Sequence, residues 1–473
     1  MPGERSFVCN RPSGRLWLRL RRALQTAEMG LAALLVLAAM AAAANALLPG
    51  LGLPPIQHSS GIAGHFETAV GLLFLVSMGL ILARALAYGV LVFHGRRRMA
   101  AGSTARTVDL RFHPRVTVIV AARNQENVIV RTVLSVLRNG YEDLEVVVVD
   151  DGSSDDTLEL LRENFGGGAQ VKILDQPHRG QAAALDKAIA HASHEILIAL
   201  DAATVFRRGA IEKLVNHFAD PRVGAVSGNV RVGNRERWIT RFESIEYVRG
   251  FNLDRRALDT LSSAAFVSGS AGAWRKSLVE RAGGFREGAV APETDLALAI
   301  RRMGYEVRYE EEAVAFTEAP KDLRGLARQR FNWFFGTFEA AWKHRDALFL
   351  PRCGSLGFLA LPAVWIFQIL TPVLSPFADI AMLAALGLGN WHVVLAYYLW
   401  FFLLEMLTAF GAYAIEREPP WDLSLLFFQR VLYRQLMYYV LVKSFDRGTG
   451  GRLEGWRGFE RRPGFDRSTV EGT

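Results

Sequence analysis

Hydrophobic and polar positions divide this chain into stretches of different period. Near the N-terminus, Leu31–Leu48 is an almost unbroken run of Ala, Leu, Val and Met, and Val70–Phe93 is a second run interrupted by Arg84. Each is long enough to cross a bilayer, since roughly 20 apolar residues span the hydrocarbon as a helix. From about residue 113 the pattern changes. Val116–Val120 and Val146–Val149 are apolar at nearly every position and mostly β-branched, which predicts strands buried on both faces. Between them Asn127–Arg138 predicts a helix. Further strand-like runs at Glu195–Leu200, Gly224–Val232 and Glu306–Tyr309 alternate with amphipathic stretches such as Ala210–Phe218, so residues 113–347 read as a soluble α/β domain. Apolar runs resume at Leu356–Leu388, Val393–Ala414 and Leu425–Val442. The first has room for two short crossings bent at Pro372 and Pro376, or for one crossing plus an interfacial helix.

This gives an N-terminal membrane anchor of two transmembrane helices (1–100), a polar linker (101–112), a cytoplasmic domain (113–347), C-terminal transmembrane or interfacial helices (348–444) and a basic cytoplasmic tail (445–473). A cleaved signal peptide is the alternative for the first run. Its basic flank fits, but the run is long and a second follows, which favours a retained anchor. A cytoplasmic tail requires an even number of crossings after the domain, four rather than three. The net charge of +8 would suit nucleic acid, but the basic residues sit beside the apolar runs: Arg15, Arg19, Arg21 and Arg22 before the first, Arg96–Arg98 after the second. That is the positive-inside signature, and it places both flanks in the cytoplasm without a nucleic-acid partner. Arg84, Arg430 and Arg434 lie within apolar runs and need polar partners or a water-filled path. Two cysteines, Cys9 and Cys353, make neither a disulfide framework nor a zinc pattern.

The candidate chemistry begins where the second strand ends. Asp150 and Asp151 are followed by Gly152-Ser153-Ser154. Ligands of open α/β sheets bind outside the carboxyl ends of strands, so paired acids and a Gly/Ser turn there suggest a nucleotide site. A strand, an Asp-rich turn and a helix cap would give the same residues.

Four ordered motifs carry the reading further: VVVVDDGSSDDT at 146–157, RGQAAALDKAIAHASHEILIALDAAT at 179–204, APETDLALAIRRMGYEVRY at 291–309 and TEAPKDLRGLARQRFNWFFG at 317–336. With the terminal segment LLFFQRVLYRQLMYYVLVKS at 425–444, they resemble the family 2 glycosyltransferases. The likeness is to the membrane-embedded synthases of hyaluronan, chitin oligosaccharide, poly-N-acetylglucosamine and cellulose. The resemblance implies an α/β nucleotide-diphospho-sugar transferase (GT-A-like) domain with a mostly parallel sheet, inserted between transmembrane helices. It also implies a multi-pass protein of the inner (plasma) membrane that uses a UDP-sugar and a polysaccharide or lipid acceptor, alone or with other synthase or export subunits. By the same resemblance, Ala122, Asn124, Glu126 and Asp151 would hold the donor nucleotide. Asp201 would face the ribose or a metal, Mg²⁺ or Mn²⁺, which suits carboxylate and phosphate oxygens. Gln329, Arg330 and Trp333 would frame the diphosphate and acceptor, Arg330 by pairing with phosphate and Trp333 by offering a flat face to a sugar ring.

The departures from the family pattern are as informative. Its D-x-D reads Asp201-Ala202-Ala203, without the second carboxylate. Its Glu-Asp pair reads Pro292-Glu293, putting Glu293 where the base aspartate is expected. Its Q-x-x-R-W has Asn332 for arginine, Gln125 stands for an acid and Gln181 for a lysine. Asp295, two residues beyond Glu293, reads as an acid at a helix start. Three functions stay open: a polysaccharide synthase with export, a non-processive transferase acting on a lipid or short acceptor, and an impaired member serving as binding or assembly partner of a synthase.

Overall fold

Every strand-like run between residues 113 and 347 joins one eight-stranded sheet. The structure, a computed structural model, describes residues 76–77, 79–93, 112–261, 264, 266–387, 391–429 and 433–449. Leu31–Leu48, most of the linker, Arg430 and the tail beyond 449 lie outside the described residues. The strands are β1 (Val116–Ala122), β2 (Leu144–Asp151), β3 (Val171–Gln176), β4 (Ile196–Asp201), β5 (Thr204–Phe206), β6 (Val223–Val232), β7 (Gly272–Arg275) and β8 (Glu306–Thr317), in the order β3-β2-β1-β4-β7-β6-β8-β5.

The sheet is mixed. Strands β3, β2, β1 and β4 run parallel, β7 is antiparallel to both its neighbours, β6 and β8 pair in parallel, and β5 closes the far edge antiparallel to β8. From β1 the chain goes first to β2 on one side and later to β4 on the other, so the crevice of the fold lies at the carboxyl ends of these three strands.

The apolar runs fold this way because their alternate residues feed two cores. Val118, Val120, Val146 and Val148 pack on one face with Ile129, Val133 and Val136 of helix α1 (Ile129–Leu137). Ile119, Val147 and Val149 pack on the other with Leu185 and Ala188 of helix α2 (Gln181–His191). All seven of these strand residues are fully buried. Removing any of these side chains from water contributes roughly 1.5–3 kcal/mol, and a charge at any of them would break the sheet–helix contact.

Three helical pieces carry the rest of the crevice. A continuous run comprises Trp238–Glu246, a π-helical stretch Tyr247–Asn252, and Leu253–Asp259. Helix α3 is Pro292–Arg302, with Pro292 in its first turn, where a missing N–H costs nothing. Helix α4 is Leu323–Lys343, capped by the Asp322 carboxylate, which accepts from Gly325 N at 2.7 Å.

Beyond the domain, Leu356–Gly387 is one continuous helical stretch of 32 residues. It passes through π turns at Leu356–Ala360 and Val364–Leu370 and keeps Pro376 inside. It runs as one helical stretch through both Pro372 and Pro376, where the sequence leaves room for two short crossings or for one crossing plus an interfacial helix. Tyr398–Glu416 is the second helix that is long and apolar enough to cross a bilayer, and among the described residues these are the two that qualify. Arg84 meets both oxygens of Asp254 at 2.6 Å, and Arg434 meets Asp379 at 2.8 Å, so both arginines of the apolar runs that are described have carboxylate partners.

Candidate active site

The register of the sheet sets the site. Ala121 lies opposite Asp201 across β1 and β4, and Ala122 lies opposite Asp150 across β1 and β2, so the ends of three strands fall on one line. Just past that line the Asp151 carboxylate is nearly fully buried. It accepts from Gln176 Nε2 (2.8 Å), His178 Nδ1 (2.7 Å), Arg179 N (2.9 Å) and Gly180 N (2.9 Å). Gly152 makes this closure feasible: its φ is +69°, and a Cβ there would stand 2.8 Å from His178 N.

Asn124 and Glu126 bind the neighbouring loops together and do not line the cavity. Ser154 N donates to Asn124 Oδ1 (2.8 Å), and Asp156 N donates to Glu126 Oε2 (3.2 Å). Asn124 holds φ at +52°, a left-handed conformation that asparagine tolerates better than most residues.

A cavity of about 260 Å³ opens beside these strand ends. Ala122, Asp151, Asp201, Glu293, Gln329 and Trp333 all line it, though they come from β1, β2, β4, α3 and α4. Glu293 enters from the first turn of α3. Gly269 leaves it room: a Cβ at 269 would sit 2.6 Å from Glu293 Oε1. Burial pushes the Glu293 carboxyl up, its own backbone N–H pulls it partly back, and the nearby Asp201 adds to the rise, which ends at about 7.

Asp295 faces the other way. It bonds Lys343 Nζ at 2.6 Å and His344 Nε2 at 2.9 Å, tying α3 to the end of α4. Burial raises its carboxyl, but these two partners outweigh burial and hold it at about 2. Its place in the fold is thus an inter-helix ion pair.

On α4, Gln329 is 6% exposed and its carboxamide oxygen has no partner among the described residues. Trp333 forms an aromatic corner with Tyr247 and Phe251, edge to face at 5.7 and 5.0 Å. Arg330 lies behind this corner. Its guanidinium pairs with the buried Glu243 and covers the Trp333 ring at 4.7 Å, and it does not line the cavity. Tyr247, Phe251, Gly269 and Arg255 are cavity residues that the motifs do not mark. For Tyr247, Phe251 and Arg255 the sequence signal is slight, a helical stretch mixing aromatic and charged residues with no clean apolar face, and Gly269 lies in a turn.

Residues 117–282 match the model of glycosyl transferase family 2. The matched segment runs from Thr117 within β1 past β7, with Asp151 and Asp201, and stops before Glu293, Gln329 and Trp333. Poly-β-1,6-N-acetyl-D-glucosamine synthases are similar over part of the chain. The Staphylococcus aureus protein is 29% identical over 225 residues, 47% of this chain and 55% of its own, and that of Staphylococcus epidermidis is 29% identical over 226 residues. The chain thus spans about half the length of the curated relatives it matches. In fold, it resembles a mannosyltransferase from Pyrobaculum calidifontis solved with GDP-Man and Mn²⁺. The TM-score is 0.53 at 23% identity, covering 80% of this chain and all of the other.

The cavity residues also bear on a metal. Among the described residues no group of three His, Cys, Asp or Glu side chains could cage one, and Ala203 fills the second carboxylate position of the D-x-D with a buried methyl group. At that motif the cavity keeps the carboxylate of Asp201. That fits a hard cation which takes most of its ligands from phosphate oxygens and water, the usual habit of Mg²⁺.

Proposed function

We propose that this protein is a membrane-bound glycosyltransferase that moves a sugar from a UDP-sugar onto a growing polysaccharide, with export. The observation that carries the reading is the meeting of Asp151, Asp201, Glu293, Gln329 and Trp333 in one cavity from distant parts of the chain. The family 2 match over 117–282 and the similarity to poly-β-1,6-N-acetyl-D-glucosamine synthases support it. The membrane assignment rests on the two apolar helices and on the apolar runs of the N-terminal region.

Transfer follows from the groups present. The nucleotide lies along the ends of β1 and β2, and the sugar's anomeric carbon faces Glu293. Glu293 takes the proton of the acceptor hydroxyl as its oxygen bonds the anomeric carbon. The bond from that carbon to the phosphate oxygen breaks, and its electron pair leaves with the nucleoside diphosphate. A carboxyl held near 7 suits this work, because a base is most effective when its pKa is close to the working pH. Asp201 would hold Mg²⁺ or Mn²⁺ against the diphosphate, and the cation would supply positive charge to the leaving group. Trp333, with Tyr247 and Phe251, gives the acceptor sugar an aromatic face.

One observation favours a second reading, single transfer to a lipid or short acceptor. Gln368, within the apolar helix Leu356–Gly387, lines the same cavity, so the acceptor wall abuts a candidate membrane segment. That contact serves a polymer entering an export path or a lipid-borne hydroxyl equally, and product length separates them. The deciding experiment is nucleoside diphosphate release by the full chain in nanodiscs, with a panel of UDP-sugars and Mg²⁺ or Mn²⁺, beside Glu293→Gln. Release that disappears in the variant establishes the transferase. UDP binding without release under any donor makes the chain a binding or assembly partner instead.

A further inference from the structure

The helical run from Trp238 to Asp259 carries four arginines, Arg241, Arg249, Arg255 and Arg256. Three of them are matched by carboxylates. Arg241 meets Asp422 at 2.7 Å, Arg249 meets Glu405 at 2.6 Å, and Arg256 meets Glu416 at 2.7 Å. Arg255 is different. It lines the cavity, and its Nε, like that of Arg256, is buried without a hydrogen-bond partner among the described residues, but unlike Arg256 it has no carboxylate paired with it there; its ring contact is Phe251, 5.9 Å from the guanidinium carbon. The adjacent carboxylate, Asp254, is turned to Arg84.

Guanidinium groups withdrawn from water without an anion are costly, so such a group in a cavity wall is built for an anion that arrives with the ligand. Arg255 also lies just beyond the π-helical stretch Tyr247–Asn252, a departure from regular helix that often marks a functional site. Asn332, which stands where the family motif has arginine, lines the same cavity. Arg330, the neighbouring arginine on α4, is committed to Glu243.

Building on the proposed transferase activity, we propose that Arg255 is a cation that receives a phosphate group in this cavity, in place of the guanidinium missing at Asn332. Phosphate chemistry suits it: a planar fork of N–H donors meets two oxygens of one anion, with no competing carboxylate of its own. The phosphate comes either from the diphosphate of the donor or from a phosphate-bearing lipid acceptor.

The test uses the full chain in nanodiscs, with calorimetric titration of UDP, uridine and inorganic pyrophosphate, and a second series with polyprenyl phosphate doped into the disc. Arg255→Gln is expected to weaken UDP and pyrophosphate about tenfold or more, as removal of a charge-assisted hydrogen bond does, and to leave uridine unchanged. A loss confined to polyprenyl phosphate assigns Arg255 to the acceptor and also supports the proposal. Unchanged affinity for all three phosphate probes overturns it. Arg255→Lys keeps the charge but not the fork, and a several-fold loss there, with unaltered thermal melting, gives the same answer should the glutamine variant not fold. Wild-type protein that binds neither UDP nor pyrophosphate overturns the functional reading and this assignment together, whereas normal wild-type binding with indifferent variants overturns Arg255 alone.

Discussion

The two walls of the cavity are built to different standards of completeness. On the side of β1 and β2, the strand-end acids and the loops behind them answer one another, although Arg123 Nε, also in the lining, is buried without a partner among the described residues. Asp151 has four donors, Asp150 has Ser153, and Asn124 and Glu126 receive backbone N–H groups of the facing loop. On the side of α3, α4 and the run 238–259, the polar groups are left open. Gln329 Oε1 and Arg255 Nε lack partners among the described residues, and Glu293 carries a carboxyl whose charge the surroundings disfavour. A saturated wall holds its shape before any ligand arrives, while an unsatisfied one stores interactions for the ligand. The first wall should therefore govern fold and the seating of the nucleoside, and the second the phosphates and turnover.

The largest effect expected from this contrast is at Glu293. Glu293→Gln keeps the size of the side chain but removes the base, so sugar transfer should fall by about a thousandfold while UDP binding persists. Because the carboxyl sits at about 7, the wild-type rate should also decline as pH falls below that value, since protonation removes the base. Steady-state rates between about pH 5.5 and 8.5 check both. A variant that still turns over at about a tenth of the wild-type rate would assign the proton to another group.

Next in size is Gly269→Ala. The added methyl would meet Glu293 Oε1 at 2.6 Å, so the carboxylate must move. Displacement of a reacting group by about 1 Å costs on the order of a hundredfold. The expected signature is a lower turnover number with little change in UDP affinity. Equal losses in both would mean that the two walls are not separable.

Asp295→Asn should act on stability instead. The Asp295 carboxyl is held at about 2 by its two partners against an ordinary 3.8, which corresponds to about 2 kcal/mol. A depressed carboxyl contributes that stability fully above its unfolded value and loses it as pH falls through the folded one. Wild-type and variant melting temperatures should therefore differ at about pH 6 and converge towards about pH 2. The rate per folded molecule should change little, unlike that of Glu293→Gln two residues away.

That pair also marks what the sequence could disclose. The strands are legible because Val146–Val149 has no polar position and Val116–Val120 only Thr117, and the strand-end acids follow from where such strands stop. Glu293 is legible through the motif around it. The environment that sets it apart from Asp295 is not, since Lys343 and His344 lie some fifty positions away in sequence and meet Asp295 only when α4 packs on α3. Strand β7 is only Gly272–Arg275, too short to declare a period, and its antiparallel pairing is what makes the centre of the sheet mixed. The run Leu356–Gly387 leaves its reading open in the sequence because proline bends a helix in principle, yet the helical stretch passes through both prolines. Arg255 resembles every other arginine around it until each of their partners has been found.

The smallest expected effect, and the one that tests the saturated wall, lies at Asn124. Its carboxamide oxygen accepts from Ser154 N at 2.8 Å while its backbone keeps φ at +52°. Asn124→Gly preserves that conformation and removes the acceptor, and a hydrogen bond of this kind contributes about 1 kcal/mol. Asn124→Ala removes the acceptor and also strains the backbone, so it should cost more. The measurement is chemical denaturation beside UDP titration. Loss of stability with a few-fold loss of UDP affinity and an unchanged turnover number is the outcome a purely organising wall requires. A fall in turnover number with stability intact would place Asn124 among the groups that act on the reacting sugar, and the division between the two walls would then fail.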